Sequence, residues 1–186
     1  VSGSSATAQL FDPDTEVISP MPRTPTTNIG LGALAIKRPD GKFLIVIGNP
    51  GTATTTTNIY DPVSDTFVYG PALTATAGRG ALVIPLPTGK YLIVHGNFTT
   101  ATSIYDPYQN SMTTGPITQN VAGGGAMALP RPDGTYLFVP GTTNETCTLS
   151  TATNIFDPNT MQFKTNPNQT ITTGVGIGAF AFPRTD

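Results

Sequence analysis

One histidine, His95, and one cysteine, Cys147, stand in a chain of 186 residues, so most nucleophile or soft-metal chemistry would have to be built from them. A Ser–His–carboxylate set needs a base oriented by an acid. His95 closes the apolar run Tyr91-Leu92-Ile93-Val94 with no such motif around it, and reads as a buried or interface histidine. Cys147 alone forms neither an internal disulfide nor a Cys-rich zinc site, and reads as an unpaired or interchain thiol. Four aspartates, Asp12, Asp61, Asp106 and Asp157, recur and could be pictured as a ring of calcium ligands. Each precedes Pro after an aromatic residue, however, and Asp-Pro is a turn former first, because the carboxylate accepts from backbone N–H groups ahead of it and Pro presets φ. Asp40 and Asp133 precede Gly in tight turns, and Thr88 replaces them in a third; a turn tolerates that swap and a ligand set does not. The expectation is no catalytic, cofactor or metal residue. Candidate modification sites are the N-glycosylation sequons at Asn97, Asn144 and Asn168.

The recurrence itself organises the chain. Phe11-Asp12-Pro13, Tyr60-Asp61-Pro62, Tyr105-Asp106-Pro107 and Phe156-Asp157-Pro158 are spaced by 49, 45 and 51 residues. Gly-Ala at Gly32, Gly80, Gly125 and Gly178 keeps step at 48, 45 and 53. Two markers in phase mean one supersecondary unit used repeatedly, and this period suits propeller blades better than helical solenoids.

Within the second unit, Gly32 to Ile36 is a small apolar segment, Pro39-Asp40-Gly41-Lys42 a tight turn, and Phe43-Leu44-Ile45-Val46-Ile47 an unbroken apolar run. A run without alternation is a strand covered on both faces. Asn58-Ile59-Tyr60 and Thr66-Phe67-Val68-Tyr69 follow, giving four short antiparallel strands, a to d. The fold expected is therefore all-β, a propeller segment of about four repeats of four-stranded blades. Its divisions are a half-blade 6–20, blades 30–72, 78–117 and 123–166, and a terminal strand a over 177–183. The start, Val1-Ser2-Gly3, reads as that of a processed or excised piece.

The turn, the strand and the Tyr-Asp-Pro-x-x-x-x-Phe tail together resemble the kelch family of β-propellers, especially its galactose-oxidase-like members, over nearly the whole chain. Strand b closes as Gly48-Asn49, Gly96-Asn97 and Gly141-Thr142 instead of on a Gly pair, and Phe67, Met112 and Phe163 replace the usual strand-d Trp. The resemblance implies a copper radical site with Tyr and His ligands and a Cys–Tyr cross-link. With His95 the only histidine, that chemistry is not available to this chain.

With 9 basic and 11 acidic residues, a net charge of −2 and no basic run, nucleic acid is not an expected partner. No stretch has the 18 or more apolar residues of a spanning helix. Thr is abundant, 33 residues, and concentrates in b–c connections such as Thr54-Thr55-Thr56-Thr57, which suits O-glycans in an extracellular protein and equally a solvated loop. The function expected is a secreted, non-enzymatic structural or interaction module in an extracellular, glycosylated and filamentous assembly. Its partners would be further copies or the rest of a larger propeller. The alternatives are a carbohydrate- or protein-binding propeller domain and a non-catalytic fragment of a larger oxidase-like enzyme.

Overall fold

A computed structural model describes residues 6–21, 23–49, 51, 54–166 and 171–181. The described chain is all-β, with four antiparallel sheets of two to four strands. The first sheet pairs β1 (Gln9–Asp12) with β2 (Val17–Pro20). Three four-stranded sheets follow. They comprise β3 (Leu34–Lys37), β4 (Phe43–Val46), β5 (Thr57–Asp61) and β6 (Thr66–Tyr69); β7 (Leu82–Pro85), β8 (Tyr91–Val94), β9 (Thr102–Asp106) and β10 (Ser111–Thr114); and β11 (Met127–Pro130), β12 (Tyr136–Val139), β13 (Asn154–Asp157) and β14 (Gln162–Thr165). Each is a simple meander whose strands lie side by side in chain order. Among the described residues no helix is long and apolar enough to cross a membrane.

The c–d turns show why Asp-Pro recurs. One carboxylate oxygen accepts the N–H groups two and three residues ahead: Asp14 and Thr15 at Asp12, Val63 and Ser64 at Asp61, Tyr108 and Gln109 at Asp106, Asn159 and Thr160 at Asp157. Every turn then closes on a left-handed residue, Glu16, Asp65, Asn110 or Met161. In two sheets the second carboxylate oxygen ties the c–d turn to the a–b turn, through Lys42–Asp61 and Lys90–Asp106 at 3.0 Å each. Thr135 takes the lysine's place in the third and bonds Asp133 instead. The four carboxyls are all held below the ordinary aspartate value. The leading cause is the Thr15 hydroxyl at Asp12, Lys42 at Asp61, and the N–H groups of Gln109 and Asn159 at Asp106 and Asp157.

The core lies between sheets. On β4, Leu44 and Val46 pack toward the following sheet, where they meet Ile93 and Tyr105, while Ile45 turns the other way to join Ile29 and Ile47. On β8 the same alternation sends Ile93 back and Leu92 and Val94 forward against Phe138, Phe156 and Phe163. Both faces of strand b are thus covered, as an apolar run without alternation requires. Truncating Leu92, fully buried, to Ala would cost roughly 2–5 kcal/mol. The first strands of successive sheets also approach one another, β3 to β7 and β7 to β11.

Two expectations change. The Gly-Ala pairs do not open strand a; they sit in the turn before it, and the strands begin at Leu34, Leu82 and Met127. The cause is backbone conformation: Gly32, Gly80, Gly125 and Gly178 have φ of 76°, 77°, 85° and 83°, outside any strand. At the far end, described residues 177–181 form no strand. Residues 182 and 183 lie outside the described residues; among the described residues the sheets do not close into a ring, and none stands within 4 Å of where a side chain on Gly178 would start.

Candidate functional site

The Gly-Ala signal extends two residues back, to Gly-x-Gly-Ala, which begins at Gly30, Gly78, Gly123 and Gly176. A Cβ on Gly32 would stand 1.8 Å from the Gly78 carbonyl oxygen, one on Gly80 1.8 Å from that of Gly123, and one on Gly125 2.0 Å from that of Gly176. Each unit therefore rests its second glycine on the first glycine of the next. The pattern is easy to see once the junctions are known, but the sequence gives only the glycines and not what they touch.

The variable residue of the motif is Leu31, Arg79, Gly124 or Ile177. These line a cavity of about 390 Å³ together with motif glycines Gly32, Gly80 and Gly125. Gly124 is small for a reason, since a Cβ there would meet Ile177 at 2.5 Å. Arg79 also borders a second cleft, of about 370 Å³, with Leu31, Asn49, Asn97, Phe98 and Glu145. It is the polar member of an otherwise apolar or glycine series. Arg79 is half-buried, and its guanidinium makes no hydrogen bond or ion pair with any described residue. Sequence reasoning passed over it; the break in the motif was the available signal.

The sequons fall differently from one another. Asn97 is half-buried in that cleft, with a left-handed backbone (φ 53°) and its side chain against Gly78. The Thr99 hydroxyl donates to the Gly96 carbonyl. Asn144 is exposed: its Oδ1 accepts from the Thr146 hydroxyl at 2.8 Å and from the Thr148 N–H, and its Nδ2 donates to Thr148. Asn168 lies outside the described residues. Cys147 is exposed beside Asn144, and its thiol lies against the Glu145 carbonyl.

His95 is fully buried between the first two four-stranded sheets, where its Nε2 pairs with the Ser103 hydroxyl at 2.8 Å. Ser103 in turn meets the Thr74 hydroxyl and N–H, and Nδ1 has no hydrogen-bond partner. Burial pushes the imidazole down to about 4, so it is neutral at neutral pH. No acid orients it, so the general-base geometry of a triad is not assembled. Among the described residues no three His, Cys, Asp or Glu side chains converge as a metal site would need.

The chain matches no protein-family model and no curated protein. Neighbouring units meet in two different ways. At one junction Arg38 donates to the Tyr105 hydroxyl and, at 2.7 Å, to Asn110 Oδ1 of the next sheet. At the following junction Leu86, Phe156 and Met161 occupy the same three places as an apolar cluster. The polar and the apolar solution each change all three residues together.

Proposed function

We propose that this chain is a non-enzymatic structural or interaction module, a kelch-like β-propeller segment of an extracellular, glycosylated assembly. Its units continue into further units of the same kind, supplied by other copies or by the rest of a larger propeller. The supporting observation is the glycine register, repeated at three junctions, with the next position open. Among the described residues nothing stands within 4 Å of where a side chain on Gly178 would start, and on the opposite flank a groove of about 430 Å³ is lined by Ile29, Gly30, Leu31, Ala33, Leu34 and Ile45. Gly30 is the equivalent of Gly78, Gly123 and Gly176, the glycines on which the preceding unit rests. A unit continuing past Gly178 would therefore present what the groove at Gly30 presents. This contact is head to tail, which generates rings when it closes and filaments when it does not.

The two-stranded sheet has the same character. Leu10, Phe11, Val17 and Ile18 are all exposed, and unpaired edges and bare apolar faces are surfaces that a stable protein covers. Sedimentation velocity across a concentration series tests the reading: association through these flanks supports it, and a compact monomer at all concentrations contradicts it.

A further inference from the structure

We propose that the cleft around Arg79 is a binding site for a small hydroxylated carboxylate, the size and chemistry of an acidic monosaccharide. This goes beyond the assembly reading and does not depend on it. The argument begins with the repeat. Residues that keep the motif hold units together; a residue that leaves it, while facing open space, has been released from that task. Arg79 stands where the other units have Leu31, Gly124 and Ile177, and it is half-buried without a protein partner. The structure's other guanidinium–carboxylate contacts leave a comparison: Arg38 pairs with Asp40 and Arg131 with Asp133, each at 3.0 Å. An arginine offers a planar fork of donors that matches a carboxylate in two parallel hydrogen bonds, and a half-buried one strengthens that match by excluding water.

The rest of the cleft defines the remainder of the ligand. Glu145 borders the same 370 Å³ space and forms no ion pair with Arg79, so the cleft offers a carboxylate acceptor as well as the guanidinium donors. The Asn49 and Asn97 amides between them add donors and acceptors, and Phe98 adds an apolar ring. A carboxylate at Arg79, hydroxyls toward Glu145 and the amides, and a C–H face against Phe98 satisfy every group. A few placed polar atoms with an apolar wall is the usual make-up of a small-ligand site.

The test is titration of the ¹⁵N-labelled chain with sodium glucuronate, observed by NMR, with glucose, glycine and sodium chloride as separate arms at matched ionic strength. The expected result is saturable shifts confined to residues around Arg79, Asn97 and Phe98, with glucuronate binding at least tenfold tighter than glucose. Arg79→Leu copies the residue at the equivalent place, Leu31, so it keeps the fold, and it should weaken glucuronate at least tenfold. Arg79→Lys, which keeps charge without the fork, should fall between. Shifts produced equally by chloride, binding of glycine in preference to glucuronate, or undiminished binding by folded Arg79→Leu would each overturn the proposal.

Discussion

Gly80 lies so close beneath Gly123 that a Cβ on it would stand 1.8 Å from the Gly123 carbonyl oxygen, less than any real contact allows. Gly178 has a similar positive φ with nothing in reach among the described residues. Gly80→Ala must therefore move a neighbouring unit as well as adopt a left-handed backbone, whereas Gly178→Ala meets only the backbone cost. We expect Gly80→Ala to lower stability by about 3 kcal/mol or more and Gly178→Ala by about 1 kcal/mol, read from urea unfolding. Equal losses would mean that the glycines serve the turn alone.

The Arg38 junction gives a second prediction. Arg38→Leu leaves the Tyr105 hydroxyl and the Asn110 amide short of a donor and should cost about 2 kcal/mol. The triple change Arg38→Leu, Tyr105→Phe and Asn110→Met copies the Leu86, Phe156, Met161 junction and should recover most of that loss. Met161 already holds the left-handed conformation that Asn110 has, so the third substitution is tolerated by the backbone. Additive losses in a triple-mutant cycle would contradict the idea that these three positions act as a set.

Acid stability should carry the signature of His95. Its folded value, about 4, is below the unfolded 6.5, so on acidification the unfolded chain takes up a proton first. The stability present above pH 6.5 is then lost as pH falls toward 4, by roughly 3 kcal/mol at most. The turn aspartates have folded values below the ordinary 3.8, and their contribution is lost only at lower pH. His95→Ile, which installs the residue of the equivalent position Ile47, should remove the loss between pH 6.5 and 4 and leave the lower one. Urea midpoints at pH 7 and 4.5 for both proteins make the comparison; an unchanged difference would remove His95 from the account.

Glycan placement is also expected to be unequal. Asn144 is exposed in its loop, its amide nitrogen donating only to the exposed Thr148 hydroxyl, whereas the Asn97 side chain lies over Gly78 within the cleft. Glycopeptide mass spectrometry of the natural material should find N-linked glycan at Asn144 and an unmodified Asn97. Bare Asn144 would remove the support for a glycosylated, extracellular setting.

Local chemistry made much of this fold readable in advance. Asp-Pro and Asp-Gly announce turns because the atoms that close them are two or three residues away, and the Phe43–Val46 run announces a doubly covered strand because apolar side chains have nowhere else to go. The relations that decide how units meet were not readable in that way. Gly32 needs Gly78, Arg38 needs Tyr105 at 67 residues' distance, and His95 needs Ser103 from β9 and Thr74 from the connection between β6 and β7. Small apolar residues suit a strand, so the Gly-Ala pairs read as one, while the positive φ of Gly32, Gly80, Gly125 and Gly178 places them in a turn. Arg79 carried a signal of its own as the odd residue in a repeated position.

The measurement that bears most directly on the central claim is sedimentation velocity of the 186-residue chain beside its Gly178→Ala variant. The account predicts concentration-dependent association of the parent, and weakening of it by a methyl group at Gly178, with the secondary structure of the variant unchanged by circular dichroism. A parent that stays a compact, cooperatively folded monomer at every concentration, or association that Gly178→Ala leaves untouched, would contradict it.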